Sequence, residues 1–269
     1  MSIRLATRDD VPGIQRVTIA TGQVDEDAGS NRDYVLLLLD TGRVYVACEE
    51  DAVVGWAATK TTPAGSMLTD LFVHPTHQAR GVGGRLLAEV WPAETAGTPR
   101  LTFSSHHASA LPLYVRAGLR PFWPMLYLSG APARLPQVAA KATRVAVELA
   151  AEAERQHTGF DRRADYAYWS RKDESSGILV HLDDRLVGAG VADASRLIHL
   201  CVMDELAADV AVLAAVRTLH STASLCLPGP HPALIHLLEH GFVVGEQDTY
   251  MSTRRTAVPV TWVYSPGLG

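Results

Sequence analysis

One order of elements runs twice through this chain, and that repetition limits the folds open to it. Residues 3–7 read as a short strand, Asp9-Asp10-Val11-Pro12 as a helix start, and residues 34–39 as part of a second helix. Residues 43–49 and 52–59 read as a hairpin turning on Glu50-Asp51. A strand over 67–73, a helix over 81–91, a strand over 101–104, a helix over 110–117 and an extended stretch over 120–128 follow. Residues 129–136 are rich in turn formers. Beyond them lie a helical pattern over 138–157 and the aromatic run Tyr166-Ala167-Tyr168-Trp169. The order then returns: a hairpin over 178–182 and 185–191 on Asp183-Asp184, a strand over 197–203 and a helix over 206–219. A strand over 223–227, a helix over 233–240 and a strand from Phe242 end the second pass. Gly55 and Gly188 hold matching places in the two hairpins, and Ala117-Gly118-Leu119 matches His240-Gly241-Phe242. The reading is an α/β (α+β) chain of two tandem domains, 1–130 and 131–269, each of ordinary domain size.

Composition narrows the function. Hydrophobic residues make up 47% and charged residues 20%, enough for a sizeable core. A net charge of -5 argues against a broad nucleic-acid or anionic-membrane surface and suits a cationic substrate. Cys48, Cys201 and Cys226 are too scattered for a disulfide framework or a cysteine zinc site, and read as buried thiols. The first residues lack an apolar signal core and no apolar run approaches a membrane span, so a cytoplasmic location is expected.

The chemistry concentrates in Gln78-Ala79-Arg80-Gly81-Val82-Gly83-Gly84, where a strand passes through a turn into a helix. A helix start presents unpaired N–H groups and a dipole that favours an anion. Glycines let that backbone approach a pyrophosphate. Arg80 or Arg85 would add a cation. The dinucleotide fingerprint requires Gly-x-Gly-x-x-Gly and the NTP loop a Gly-Lys-Ser/Thr ending; neither is present. A purely structural glycine turn stays open.

In context, Leu71-Phe72-Val73-His74-Pro75-x-x-Gln78-x-x-Gly81-x-Gly83-Gly84-x-Leu86-Leu87 resembles the acyl-CoA signature of the GNAT N-acetyltransferase superfamily. Ala110-Leu111-Pro112-Leu113-Tyr114-Val115-Arg116-Ala117-Gly118-Leu119 resembles the family's later helix, with Leu119 in place of its usual phenylalanine. The resemblance covers most of residues 1–128. It implies a mixed, twisted sheet flanked by helices in each domain, splayed after the fourth strand at a β-bulge. It also implies an acetyl-CoA cosubstrate. Leu71, Phe72 and Val73 would line pantetheine, Gln78, Ala79, Arg80, Gly81, Val82, Gly83 and Gly84 would cradle the pyrophosphate, and His107 would contact the cofactor beside His106.

Transfer to an amine of pKa near ~10.4 needs a base, the oxyanion needs a donor, and the leaving thiolate gains from an acid. The resemblance puts Tyr114 in the acid's place and the Val73 N–H at the oxyanion. A tyrosine packed under the cofactor is the bland reading of Tyr114. Asp70 is the best-placed carboxylate for the base, and equally suits holding a helix. Glu26 and Asp27 in an acidic loop offer a second carboxylate source, though such loops are commonly just solvated.

The second copy serves as an internal control. Residues 201–216 align with the phosphate turn yet contain no glycine, while Asp204, Glu205 and Asp209 would repel phosphate. Leu237 stands where the first copy has Tyr114. His236-Leu237-Leu238-Glu239-His240 matches an inverted zinc-protease pattern, but its place in the repeat accounts for it, and no metal is expected. His157, His181, His199, His220 and His231 show no ligand spacing. Tyr166, Tyr168 and Trp169 read as an interdomain core or pocket wall. The residues 258–264 read as a strand that completes either sheet.

The expected protein is a tandem GNAT enzyme with a catalytic domain at 1–130 and a degenerate GNAT-like domain at 131–269. It would transfer acetyl from acetyl-CoA to a primary amine of a small molecule or peptide, by direct attack in a ternary complex. It would act on neither nucleic acid nor membrane, as a monomer whose two domains form a pseudo-dimer, a homodimer being possible. The alternatives are a non-catalytic protein that responds to acyl-CoA and an enzyme using another acyl donor.

Overall fold

A computed structural model describes residues 1–24, 28–92, 97–255 and 257–268. The chain divides into two compact units. The first comprises Met1–Phe122 with Tyr250–Ala257 and Gly267–Gly269; the second comprises Trp123–Thr249 with Val258–Pro266.

In the first unit, β1 (Ser2–Leu5), β2 (Gly42–Glu49), β3 (Ala52–Thr62) and β4 (Gly65–Val73) form an antiparallel run. β5 (Arg100–Ser104) then adds parallel to β4. The β2–β3 turn holds Glu50 and Asp51 at φ 48° and 69°, the left-handed pair a two-residue hairpin demands. Helices α1 (Val11–Ala20) and α2 (Arg32–Thr41) cover one face. Here the buried Trp56 of β3 donates its Nε1–H to Thr18 Oγ1 at 3.0 Å and stacks on Phe72, ring centroids 5.6 Å apart. Helices α3 (Val82–Val90) and α4 (Ala110–Arg116) cover the other. Val82, Leu86, Leu87 and Val90 of α3 fall at helical spacing and join Ala57, Leu68, Tyr114 and Met251 in one core.

The second unit repeats this order. β6 (Arg120–Gly130) leads into it. Next come β7 (Lys141–Val145), α5 (Val147–Thr158), α6 (Arg163–Trp169), β8 (Ser176–Leu182), β9 (Arg185–Ala192) and β10 (Arg196–Val202). They are followed by α7 (Ala208–Val216), β11 (Ala223–Pro228), α8 (Ala233–Glu239) and β12 (Val243–Ser252). The strand order is β6-β11-β10-β9-β8-β7, with β10 and β11 parallel and the other pairs antiparallel. Asp183 and Asp184 repeat the left-handed turn of Glu50 and Asp51 at φ 48° and 62°. β12 starts among residues of the second unit, and its Tyr250–Ser252 end belongs to the first. There Ser252 Oγ and the Thr253 N–H both donate to the Arg100 carbonyl of β5.

Three expectations change. Residues 258–264, expected as a strand, run as turns with a single β-bridge from Val263 to Leu200. The helix expected over 138–157 begins only at Val147. Lys141–Val145 is a strand because Thr143 and Val145 are β-branched and pair with Leu179 and Gly177 of β8. Tyr166, Tyr168 and Trp169 are buried, and two of them line the second unit's own core around His199: Trp169 stacks on its ring at 5.3 Å and Tyr166 meets it edge-on at 6.1 Å. The three cysteines are free and buried.

Candidate active site

The site starts from a defect in a strand. The β3–β4 register shifts between Ala58 and Thr59, which pair with Asp70 and Leu68, so Thr69 bulges and returns its Oγ1–H to the Ala58 carbonyl at 3.2 Å. The β4–β5 register runs through Ser66, Met67 and Leu68. Past that point a cavity of about 450 Å³ opens beside Leu71, Phe72 and Val73. A bulge followed by parting strands leaves main-chain groups available to an extended ligand.

The Gln78–Gly84 turn forms the next wall. Ala79 sits at φ 60° and Gly81 at φ 77°, the latter capping α3 in the left-handed conformation. A side chain at Gly81 would meet no atom within 4 Å, so glycine there serves the backbone conformation rather than packing. Gly83 and Gly84 instead lie 3.4 Å and 4.0 Å from Leu113 for an added Cβ, on the wall itself. Gln78 is a brace: its Nε2 donates to the Val73 carbonyl at 3.1 Å, tying turn to strand end.

Tyr114 closes the third side. It lies in α4, 7% exposed, and borders the cavity with Leu113 and Ala110. His107 borders it too, its Nδ1 2.8 Å from Ser109 Oγ at the entry to α4. Ten of the expected residues therefore surround one space: Leu71, Phe72, Val73, Gln78, Ala79, Gly81, Val82, Gly83, Gly84 and His107, with Tyr114 at its floor.

Arg80 and Asp70 are placed elsewhere. Arg80 is exposed and does not border the cavity; Arg116 supplies the guanidinium on its wall. Asp70, one residue before Leu71, points to the opposite face of β4 and is 7% exposed. Tyr34 of α2 donates its hydroxyl proton there, with Asp70 Oδ2 and the Gly267 carbonyl both at 2.8 Å. Glu26 and Asp27 lie outside the described residues.

Sequence reasoning missed His77. It borders the cavity, its Nε2 donates to Glu49 Oε2 at 2.9 Å, and its Nδ1 lies 2.8 Å from Thr76 Oγ1. The hydrogen bond from His77 lowers the Glu49 carboxyl below its ordinary range. Glu49 ends β2 and His77 ends a short 3-10 turn, so only the fold joins them. Thr21, Gln23, Ser105 and Ser109 are further wall residues without a local sequence signal.

Comparison with known proteins agrees with this geometry. Residues 40–120 match the family model for the acetyltransferase (GNAT) domain. The chain carries a GNAT acetyltransferase domain. That domain holds the bulge, the turn and Tyr114. A mycothiol acetyltransferase of Amycolatopsis mediterranei (strain U-32) is 38% identical over 82 residues, 30% of this chain. The match spans 27% of that relative's length. Among solved structures, a Pyrococcus horikoshii protein described as an acetyltransferase aligns with TM-score 0.71 at 14% identity, over 98% of this chain and 92% of that one. A tandem GNAT protein from the clavulanic acid biosynthesis pathway aligns with TM-score 0.58 at 13% identity, over 96% and 99%. At such identities these two show the fold alone: a tandem GNAT architecture.

The second unit's metal-like motif has a local explanation. His240 Nδ1 lies 2.8 Å from the His236 carbonyl, and His236 Nε2 lies 3.8 Å from Asp209. Among the described residues no three metal-ligating side chains converge.

Proposed function

We propose that the protein is an N-acetyltransferase, moving the acetyl group of acetyl-CoA to a primary amine of a small molecule or peptide in a ternary complex. The observation that carries this reading is the convergence of the Leu71–Val73 edge, the Gln78–Gly84 turn and Tyr114 on one cavity. The turn suits a pyrophosphate, since Gly81 opens α3 with its N–H groups facing an uncrowded surface. The strand edge suits the amide-bearing pantetheine arm. The name of the Amycolatopsis relative supports acetyl as the group transferred.

In the proposed reaction the neutral amine attacks the thioester carbon, the C–N bond forms, and the Val73 N–H receives the oxyanion. The C–S bond then breaks and Tyr114 gives its proton to the thiolate. The amine's proton leaves to water, since Asp70 sits with Tyr34 on the far face of β4. The division into a catalytic domain, 1–130, and a degenerate one, 131–269, belongs to the same proposal, as does a cytoplasmic site of action.

Acceptor profiling with detection of free thiol, wild type against Tyr114→Phe, tests the reaction. Thiol release from some amine, depressed in the variant, is the expected result. Gly81→Glu tests the site separately: normal acetyl-CoA binding by calorimetry would sink the assignment.

One observation favours a second reading, a protein that binds acyl-CoA without turning it over. No carboxylate borders the cavity among the described residues, and Asp70 is held by Tyr34 on the far face of the strand. That reading requires tight acetyl-CoA binding with no thiol release across amine, peptide and antibiotic acceptors.

A further inference from the structure

The duplication allows the two clefts to be compared residue by residue. In β10 the register shifts between Leu197 and His199, so Ile198 bulges as Thr69 does in β4. Leu197 pairs with Leu225 of β11 as Leu68 pairs with Thr102 of β5. His199, Leu200 and Val202 therefore correspond to Asp70, Leu71 and Val73, and Cys226 of β11 to Phe103 of β5. Past the bulge, the first unit has its cavity. The second has its own chain.

Residues of the Val258–Pro266 stretch, which belongs to the second unit, run between the parted strands. The Leu200 N–H donates to the Val263 carbonyl at 3.2 Å, and the Val263 N–H donates back to Leu200 at 3.0 Å. One residue on, the Tyr264 N–H donates to the Cys226 carbonyl of β11 at 3.1 Å, so both walls of the cleft are bonded. Trp262 Nε1 donates to the Val202 carbonyl at 3.1 Å. That carbonyl corresponds to the Val73 carbonyl, which the Gln78 amide takes in the first unit. Trp262, Val263, Tyr264 and Ser265 are all buried. His231 fixes the stretch from outside the strands: its Nδ1 accepts the Ala233 N–H at 3.0 Å, so its Nε2 carries the proton donated to the Thr261 carbonyl at 2.8 Å.

We propose that residues 261–264 are a built-in segment that permanently occupies the second unit's ligand cleft, bridging to Leu200 where a ligand arm would pair with Leu71. The site left at the mouth agrees with this. In the same register residues 207–213 correspond to 78–84 and contain no glycine, so α7 starts without the turn that opens α3. The second unit is a GNAT-like fold that carries its own ligand, and the chain has one acyl-CoA site rather than two. The last clause rests on the proposed function; the occupied cleft does not.

Hydrogen exchange with residue resolution on the full chain, combined with calorimetric titration of acetyl-CoA, tests this. The Leu200 and Val263 amides are expected to exchange at least about 10³-fold more slowly than an unstructured chain without ligand, and to change less than about twofold at saturating acetyl-CoA. One equivalent of acetyl-CoA should bind. Unprotected Val263, or a second equivalent bound with faster exchange at Val263, overturns the proposal. Protection with no acetyl-CoA bound supports the occupied cleft and sinks the proposed function instead. Val263→Pro, which removes the N–H donated to the Leu200 carbonyl, is expected to loosen the bridge and reduce protection at the Leu200 amide, whose own bond to the Val263 carbonyl remains; Trp262→Phe removes only the bond to Val202 and should leave protection unchanged.

Discussion

Residue by residue, the candidate site separates conformational from chemical roles. Gly81 is required by its positive φ, since an added Cβ would meet nothing. Gly81→Ala should therefore cost about 1 kcal/mol of stability through strain alone, read as a lowered urea midpoint, with acetyl-CoA binding kept at reduced affinity. In the proposed reaction Tyr114 is the acid. Tyr114→Phe keeps the ring in its buried place and removes only the hydroxyl, so kcat should fall about 10²-fold with the KM for acetyl-CoA little changed. A fall in KM affinity with intact kcat would mark Tyr114 as a packing residue. Asp70 could not be decided from its position in the sequence, because a strand residue one step from the cavity can serve either face. The alternation of β4 sends it towards Tyr34. Tyr34→Phe leaves Asp70 and the Gly267 carbonyl one donor short and should cost about 1–2 kcal/mol by chemical unfolding.

At the scale of elements, the second unit carries a buried charge network around His199, the residue that corresponds to Asp70. Glu154 of α5 accepts from Tyr166 at 2.6 Å and from His199 Nε2 at 2.9 Å, with Arg162 held by Asp165 at 3.0 Å and lying 4.0 Å from Glu154. Burial opposes its charge, yet His199, Arg162 and Tyr166 together hold the Glu154 carboxyl down at about 2. Burial outweighs Glu154 at His199 and lowers its pKa, and burial brings His231 to about 4. All three folded values lie below their unfolded ones, so the unfolded chain binds more protons and stability rises with pH. The stabilisation from the two histidines is complete above about pH 6.5 and falls as pH drops below it, that from His231 being lost towards pH 4; that from Glu154 is lost below about 4.5. Urea midpoints measured from pH 8 to 4 should fall steadily below pH 6.5. His231→Gln should flatten part of that slope, and an unchanged slope would remove His231 from the account.

At the scale of the whole molecule, each compact unit draws on residues far apart in the chain. Met251, fully buried, joins Leu86, Tyr114 and Leu119 in the first unit's core although it follows them by more than a hundred residues. Met251→Ala should cost about 2–5 kcal/mol and weaken acetyl-CoA binding with it, measured by thermal unfolding and calorimetry. The thiols report on the same cohesion. Cys201 and Cys226 are buried, and burial raises both well above the ordinary thiol range. A disulfide reagent should label them only on unfolding.

Much of this was written locally. Periodicity, the two acidic hairpin turns and the glycines at 81, 83 and 84 determine the strands, the helices and the phosphate turn, because each depends on neighbours within a few residues. The sequence by itself also set the asymmetry of the two copies, since residues 201–216 contain no glycine where the first copy has its turn. What depends on contacts distant along the chain had no such signal. Lys141–Val145 became a strand through pairing with β8, Asp70 went to Tyr34, and His77 met Glu49. The residues 258–264, read from sequence as a strand, instead run as turns and enter the second cleft through one bridge, because Leu200 offered an edge there. Backbone hydrogen bonds must be satisfied somewhere, and only the tertiary structure decides which distant segment satisfies them.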